Sequence, residues 1–128
     1  MPMKRVNRAA VVVNPTKVTD LAAFRQSVRA AMAHHRWSEP LWLETTPGDP
    51  GPGQVAEAVR TEVDLVLAAG GDGTVTACAA GLLGSKVPLG ILPTGTGNLL
   101  AINFGIPPDL DKALTIALTG VDLSLIHI

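Results

Sequence analysis

The chain has one cysteine and no tyrosine, and its only aromatic residues are Phe24, Phe104, Trp37 and Trp42. A single cysteine excludes an intramolecular disulfide and any multi-cysteine zinc site. With so few rings, leucine, valine, isoleucine and alanine have to fill the core. No apolar run reaches the roughly 18–20 residues that a membrane-crossing helix needs. The N-terminal MPMKRVNRAA lacks the long apolar segment of a signal peptide. Nor is there a charge excess: ten Lys and Arg against eleven Asp and Glu give −1 at pH 7, too neutral for a nucleic-acid partner. What remains over 128 residues, 47% hydrophobic and 16% charged, is globular composition for one domain at most. A soluble, cytoplasmic α/β domain is expected.

The charge is unevenly spread. Residues 1–36 carry seven basic side chains (Lys4, Arg5, Arg8, Lys17, Arg25, Arg29, Arg36) against Asp20 alone, and the remainder carries three basic and ten acidic ones. A solvated helix face behind a basic leader (residues 1–7) accounts for this more simply than an anion-attracting patch.

Apolar runs alternate with helical spacing along the chain. Ala9–Val13 is a short β-branched run, as in a strand buried on both faces of a parallel sheet. Leu21, Phe24, Val28 and Met32 then fall at helical intervals over 19–36, with Thr19 as the expected N-cap. Pro40–Glu44 reads as a second strand, Gln54–Glu62 as a short helix and Asp64–Ala69 as a third strand. A helix over 75–83 follows, then a strand over Val87–Leu92 and helices over Leu99–Asn103 and Leu110–Leu118. This βαβ order predicts an α/β fold of three layers, a mainly parallel sheet flanked by helices.

Every distinctive loop falls at the carboxyl end of a predicted strand: Asn14-Pro15, Thr45-Thr46, Gly70-Gly71-Asp72-Gly73-Thr74 and Pro93-Thr94-Gly95-Thr96-Gly97-Asn98. Ligands of open α/β sheets bind at that edge. Glycines permit close backbone approach, and helix N-termini offer N–H groups to phosphate. A nucleotide-phosphate site follows. The alternative for Gly70–Thr74 alone is a tight turn capped by Thr74 or Asp72. A carboxylate beside phosphates is repelled unless Mg²⁺ lies between or it contacts a hydroxyl, so Asp72 points to phosphoryl transfer. No G-x-x-x-x-G-K-[ST] is present, and neither glycine loop fits a dinucleotide-binding G-x-G-x-x-G.

Together Asn14-Pro15, GGDGT at 70–74 and PTGTGNLLA at 93–101 resemble the diacylglycerol kinase catalytic domain of bacterial lipid kinases, a family that includes the sphingosine and ceramide kinases. GGDGT alone is shared with NAD kinases, which lack PTGTGN. The resemblance covers residues 8–122 and implies the nucleotide-binding half of the NAD kinase/diacylglycerol kinase-like fold. It implies a kinase that moves the γ-phosphoryl of Mg-ATP to the hydroxyl of a lipid such as diacylglycerol, at the inner face of a membrane. It places Asn14, Thr45, Thr46, Gly70, Gly71, Asp72, Gly73, Thr74, Gly95, Thr96, Gly97 and Asn98 at the nucleotide, with Asp72 toward Mg. It also implies a β-rich second domain that supplies the catalytic base and the lipid pocket. No catalytic residue is then expected within these 128.

Three positions depart from the pattern. Val75-Thr76-Ala77 stands where many relatives have Val-Asn-Glu, Leu99 where an Asp is frequent, and Thr16-Lys17-Val18 lacks a common glycine. These departures bear on catalysis more than on nucleotide binding, and they keep a non-catalytic nucleotide-binding module in view. Leu123–Ile128 (LSLIHI) reads letter for letter as a translated sequencing-library adapter, the alternative being an ordinary strand end. Cys78 reads as a small core residue, Trp37 and Trp42 as packing, and His34-His35 as cap or surface. Lys17, just past Asn14-Pro15, reads as an exposed lysine, the alternative being a reach to phosphate, and Asp109 with Asp111 read as helix-start residues.

Overall fold

The structure, a computed structural model, describes residues 6–94, 102–103, 105–119 and 125–126. Strands β1 (Ala9–Val13), β2 (Leu41–Glu44), β3 (Leu65–Ala69) and β4 (Leu89–Leu92) pair in parallel, and the two-residue β5 (Leu125–Ile126) pairs antiparallel to β4. The sheet order is β2-β1-β3-β4-β5. All five residues of β1 and all five of β3 are buried. This is the condition of central strands covered on both faces, which is why they read as unbroken apolar runs.

The helices packed on this sheet are α1 (Leu21–His34), α2 (Pro52–Arg60), α3 (Asp72–Gly81) and α4 (Leu110–Leu118). The path from β1 moves outward to β2, then returns across β1 to β3 and on to β4. Right-handed crossovers therefore put α1 on one face and α2 and α3 on the other. The packing agrees: α1 lies against α4, and α2 against α3. Phe24, Val28 and Met32 of α1 are buried at helical spacing, and Ala113, Leu114, Ala117 and Leu118 of α4 complete that layer. On the other face α2 and α3 meet through small residues. A Cβ on Gly51 would lie 2.8 Å from Ala77 Cβ, and one turn further a Cβ on Gly81 would lie 3.0 Å from Val55 Cγ1.

Several expected boundaries shift. The helix expected at 75–83 starts at Asp72, so the last three residues of GGDGT are its first turn, and its N-cap is Gly71 with no side-chain cap. Asp20, not Thr19, caps α1, its carboxylate accepting from Ala23 N at 3.0 Å. α1 ends at His34 and α2 at Arg60, each two residues short of expectation. Asp109 caps α4 as expected, accepting from Lys112 N at 3.1 Å. The helix expected over Leu99–Asn103 lies largely outside the described residues, as does most of 123–128.

Candidate functional site

The reversal of strand order at β1 makes the β1–β3 junction the place where adjacent loops depart to opposite faces, and a crevice opens at such a point. Two hydrogen bonds extend the ladders one residue past the strands, Asn14 N to Ala69 O at 2.8 Å and Thr45 N to Val13 O at 2.9 Å. Beyond them the chains separate. The resulting crevice, about 350 Å³, is lined by Asn14, Thr16, Thr45, Thr46, Pro47, Pro50, Gly73, Thr74 and Ala77. Three of the four sequence-predicted loops thus meet. The fourth, Gly95–Asn98, lies outside the described residues.

Each wall has a local cause. After β1 a single 3-10 turn, Pro15–Lys17, is capped by Asn14. The Asn14 carbonyl Oδ1 accepts from Thr16 N (3.0 Å) and from Thr16 Oγ1 (2.7 Å), which leaves the amide nitrogen of Asn14 as the donor that can turn to a ligand. After β3 the chain enters α3 so tightly that Gly70 is required. A Cβ there would stand 2.7 Å from Thr74 Cβ and 3.1 Å from Asn14 Cβ. Gly73 is the opposite case: a Cβ meets nothing within 4 Å, because that face of the helix N-terminus is the open crevice. Thr74 is buried and closes the first turn, its N–H donating to Gly71 O at 3.1 Å.

The wall after β2 is a Pro- and Gly-rich loop held by cross-bracing. Thr46 and Asp49 exchange both backbone hydrogen bonds at 3.0 Å, and Asp49 Oδ1 accepts from Gly53 N at 2.9 Å. Gln54 Nε2 donates to the carbonyls of Glu44 (3.0 Å) and Asp49 (2.9 Å), tying the two ends of the loop together. Sequence reasoning misses Gln54; a glutamine in a first helical turn carries no local signal of such a role. Lys17 is exposed, as expected, and its Cε lies 3.6 Å from where a Gly71 Cβ would be. Its positive charge therefore stands beside the glycine loop.

Asp72 opens α3, where a carboxylate complements the helix dipole. Among the described residues no group of three His, Cys, Asp or Glu side chains could hold a metal ion by itself. Cys78 is fully buried in the core, and burial pushes its thiol up to about 12; it is protonated at neutral pH and is no nucleophile. The basic face of α1 is partly neutralised. Arg25 pairs with Glu44 at 2.9 Å and lies 5.0 Å from the Trp42 ring centre, and Arg29 pairs with Glu39 at 3.0 Å. No described helix is long and apolar enough to cross a membrane.

The family model of the diacylglycerol kinase catalytic domain matches residues 8–125, and the chain belongs to that family. Among curated proteins it is 47% identical over 73 residues to a "Probable lipid kinase YegS-like" of Klebsiella pneumoniae, which covers 56% of this chain and 25% of that protein. It is 41% identical over 81 residues to a "Probable lipid kinase YegS" of Salmonella typhimurium, covering 57% and 27%. Among solved structures, a diacylglycerol kinase of Bacillus anthracis superposes with a TM-score of 0.73 at 26% identity, over 91% of this chain and 41% of that one. The chain thus spans about a quarter of the length of the curated relatives it matches. The two relatives are named as probable lipid kinases and the solved structure as a diacylglycerol kinase.

Proposed function

We propose that the crevice binds Mg-ATP and serves transfer of its γ-phosphoryl to a lipid hydroxyl, diacylglycerol being the representative acceptor. The observation that carries this reading is the meeting of Asn14, Thr45, Thr46, Gly73 and Thr74 around one crevice at the strand-order reversal. The first turn of α3 offers backbone N–H groups and a positive dipole end to the phosphates. Gly73 leaves room for them to approach, Asn14 and Lys17 add a donor and a charge, and Thr45 and Thr46 line the opposite wall. Asp72, at the start of α3, would hold Mg²⁺, and that ion would neutralise charge developing on the transferred group. Among the described residues no carboxylate lines the crevice itself. The base for the acceptor hydroxyl is therefore assigned to polypeptide outside the described residues, and these residues bind and position without catalysing alone. On this reading the acceptor lipid is met at a membrane surface, without nucleic acid.

The test begins with binding. At ATP a hundredfold above its Kd, the folded chain should gain about 2.7 kcal/mol, read as a rise in melting temperature. Asp72→Ala and Gly73→Leu should each remove that rise. The introduced leucine side chain has open space and suits a helix, so the unliganded melting temperature of that variant should not fall. An undiminished ATP effect in both variants refutes the assignment. Labelled ATP supplied with diacylglycerol and with NAD to the intact polypeptide then separates the chemistries. Label in the lipid supports the proposal, and label in NAD alone makes this a soluble nucleotide kinase. Ala77, on the crevice wall where many relatives carry Glu, favours one further reading, a non-catalytic nucleotide-binding module. Binding without labelling of either acceptor would establish it.

A further inference from the structure

Thr45 lines the crevice and is only 8% exposed. The hydroxyl of its neighbour Thr46 accepts from Asp49 N at 3.1 Å. Among the described residues none bonds the hydroxyl of Thr45, so the partner open to it is a molecule in the crevice. Where that hydroxyl points is set by the two peptide groups on either side of Thr45.

Both peptides are held by one side chain. In the 44–45 peptide, Thr45 N donates to Val13 O at 2.9 Å, while Glu44 O accepts from Gln54 Nε2 at 3.0 Å. That plane is fixed by β1 on one side and by α2 on the other. In the 45–46 peptide, Thr46 N donates to Asp49 O at 3.0 Å, and the same carbonyl accepts from Gln54 Nε2 at 2.9 Å. A single amide nitrogen thus restrains the planes before and after Thr45. The amide has one workable orientation, because turned over it would set its oxygen against two carbonyl oxygens. In that orientation Gln54 Oε1 is buried with no partner among the described residues. A buried acceptor left that way is destabilising, so an apolar side chain of equal length would serve packing alone better. What the glutamine supplies is its two donated bonds.

We propose that Gln54 is a positioning residue for the nucleotide site: through these two peptides it aims the Thr45 hydroxyl at the bound ligand. The inference rests on the nucleotide reading above. Calorimetric titration of ATP with excess Mg²⁺ into the full chain, Thr45→Val, Gln54→Met and the double variant tests it. Valine keeps the shape of threonine without its hydroxyl, and methionine keeps the length of glutamine without its donors. Each single variant should bind ATP about tenfold more weakly, the upper range for one hydrogen bond. The double variant should stay within about threefold of the single ones, because no hydroxyl is left for Gln54 to aim. A loss beyond about thirtyfold in the double variant, or undiminished binding by either single variant, overturns the inference and leaves the nucleotide site standing. Failure of the unmodified chain to bind ATP overturns both readings. If Gln54→Met does not fold, Gln54→Glu decides, since an acidic residue suits a first helical turn. Its carboxylate would face two carbonyl oxygens, and once protonated it can donate to one of them. Its ATP affinity relative to the unmodified chain should therefore rise as pH falls from about 8 to about 5, and this rise should vanish when Thr45→Val is added. A constant ratio, or a rise that survives Thr45→Val, overturns the inference.

Discussion

The two ends of the parallel strands are built on opposite principles. At the amino end the chain segments are stitched together. Arg8 N donates to the Asp64 carboxylate at 2.9 Å, Asp64 N returns a bond to Arg8 O at 2.7 Å, and Ser38 N reaches Asn7 O at 2.9 Å. The Trp37 indole N–H caps the end of α4 at the Leu118 carbonyl, 3.2 Å away. At the carboxyl end the ladders run one residue further and then part, leaving a crevice walled by Gly, Pro, Thr and Asn. One sheet thus separates its duties. The amino edge is closed by bonds between segments distant in sequence, while the carboxyl edge, braced mainly within its β2–α2 loop, keeps its strand-end backbone and loops around a crevice.

Three perturbations test this contrast. The largest effect is expected from Gly70→Ala, since its methyl group would collide with Thr74 and crowd Asn14. Overpacking of that kind costs about 1–3 kcal/mol. Because it displaces the first turn of α3, ATP-induced stabilisation should vanish as well; a variant that melts normally and still binds would contradict the role given to this glycine. Next is Cys78, which belongs to neither end. Its thiol titrates near 9.0 unfolded and at about 12 folded. Above pH 9 the unfolded chain loses a proton that the folded chain keeps. Stability is thus unaffected by this group below pH 9 and falls by about 1.4 kcal/mol per pH unit up to about 12. Denaturant unfolding at about pH 8 and pH 10 should show the fall, and Cys78→Ala should remove it. The smallest effect is expected from Trp37→Phe, which deletes the bond to Leu118 O for about 1 kcal/mol and should leave ATP affinity unchanged. Reduced affinity there would mean the two ends are coupled.

Much of this was legible because its causes are local. The apolar runs Ala9–Val13 and Leu65–Ala69 read as strands covered on both sides, and Leu110–Leu118 starts and ends where its cap and spacing indicate. Three of the loops expected at one edge do line one crevice. Helix ends were harder. α1 and α2 stop through Arg36 and Glu62, at φ 63° and 60°, positions where glycine usually provides the signal. Trp37 N bonding to Met32 O and Arg36 N to Ala33 O complete the motif without one. Gln54 was missed for another reason: it matters through a neighbour distant in sequence, Glu44.

The bracing of the β2 wall has a consequence for timing. Thr46, Asp49 and the Gln54 amide nitrogen are hydrogen-bonded within the wall before any ligand arrives, so an incoming molecule does not have to order that segment. Immobilising a loose wall would cost about 0.5–1.5 kcal/mol for each rotamer-rich side chain, and this penalty is largely absent here. Encounter and capture then become nearly the same event, and differences in affinity among ligands of this crevice appear mainly in how long each one stays.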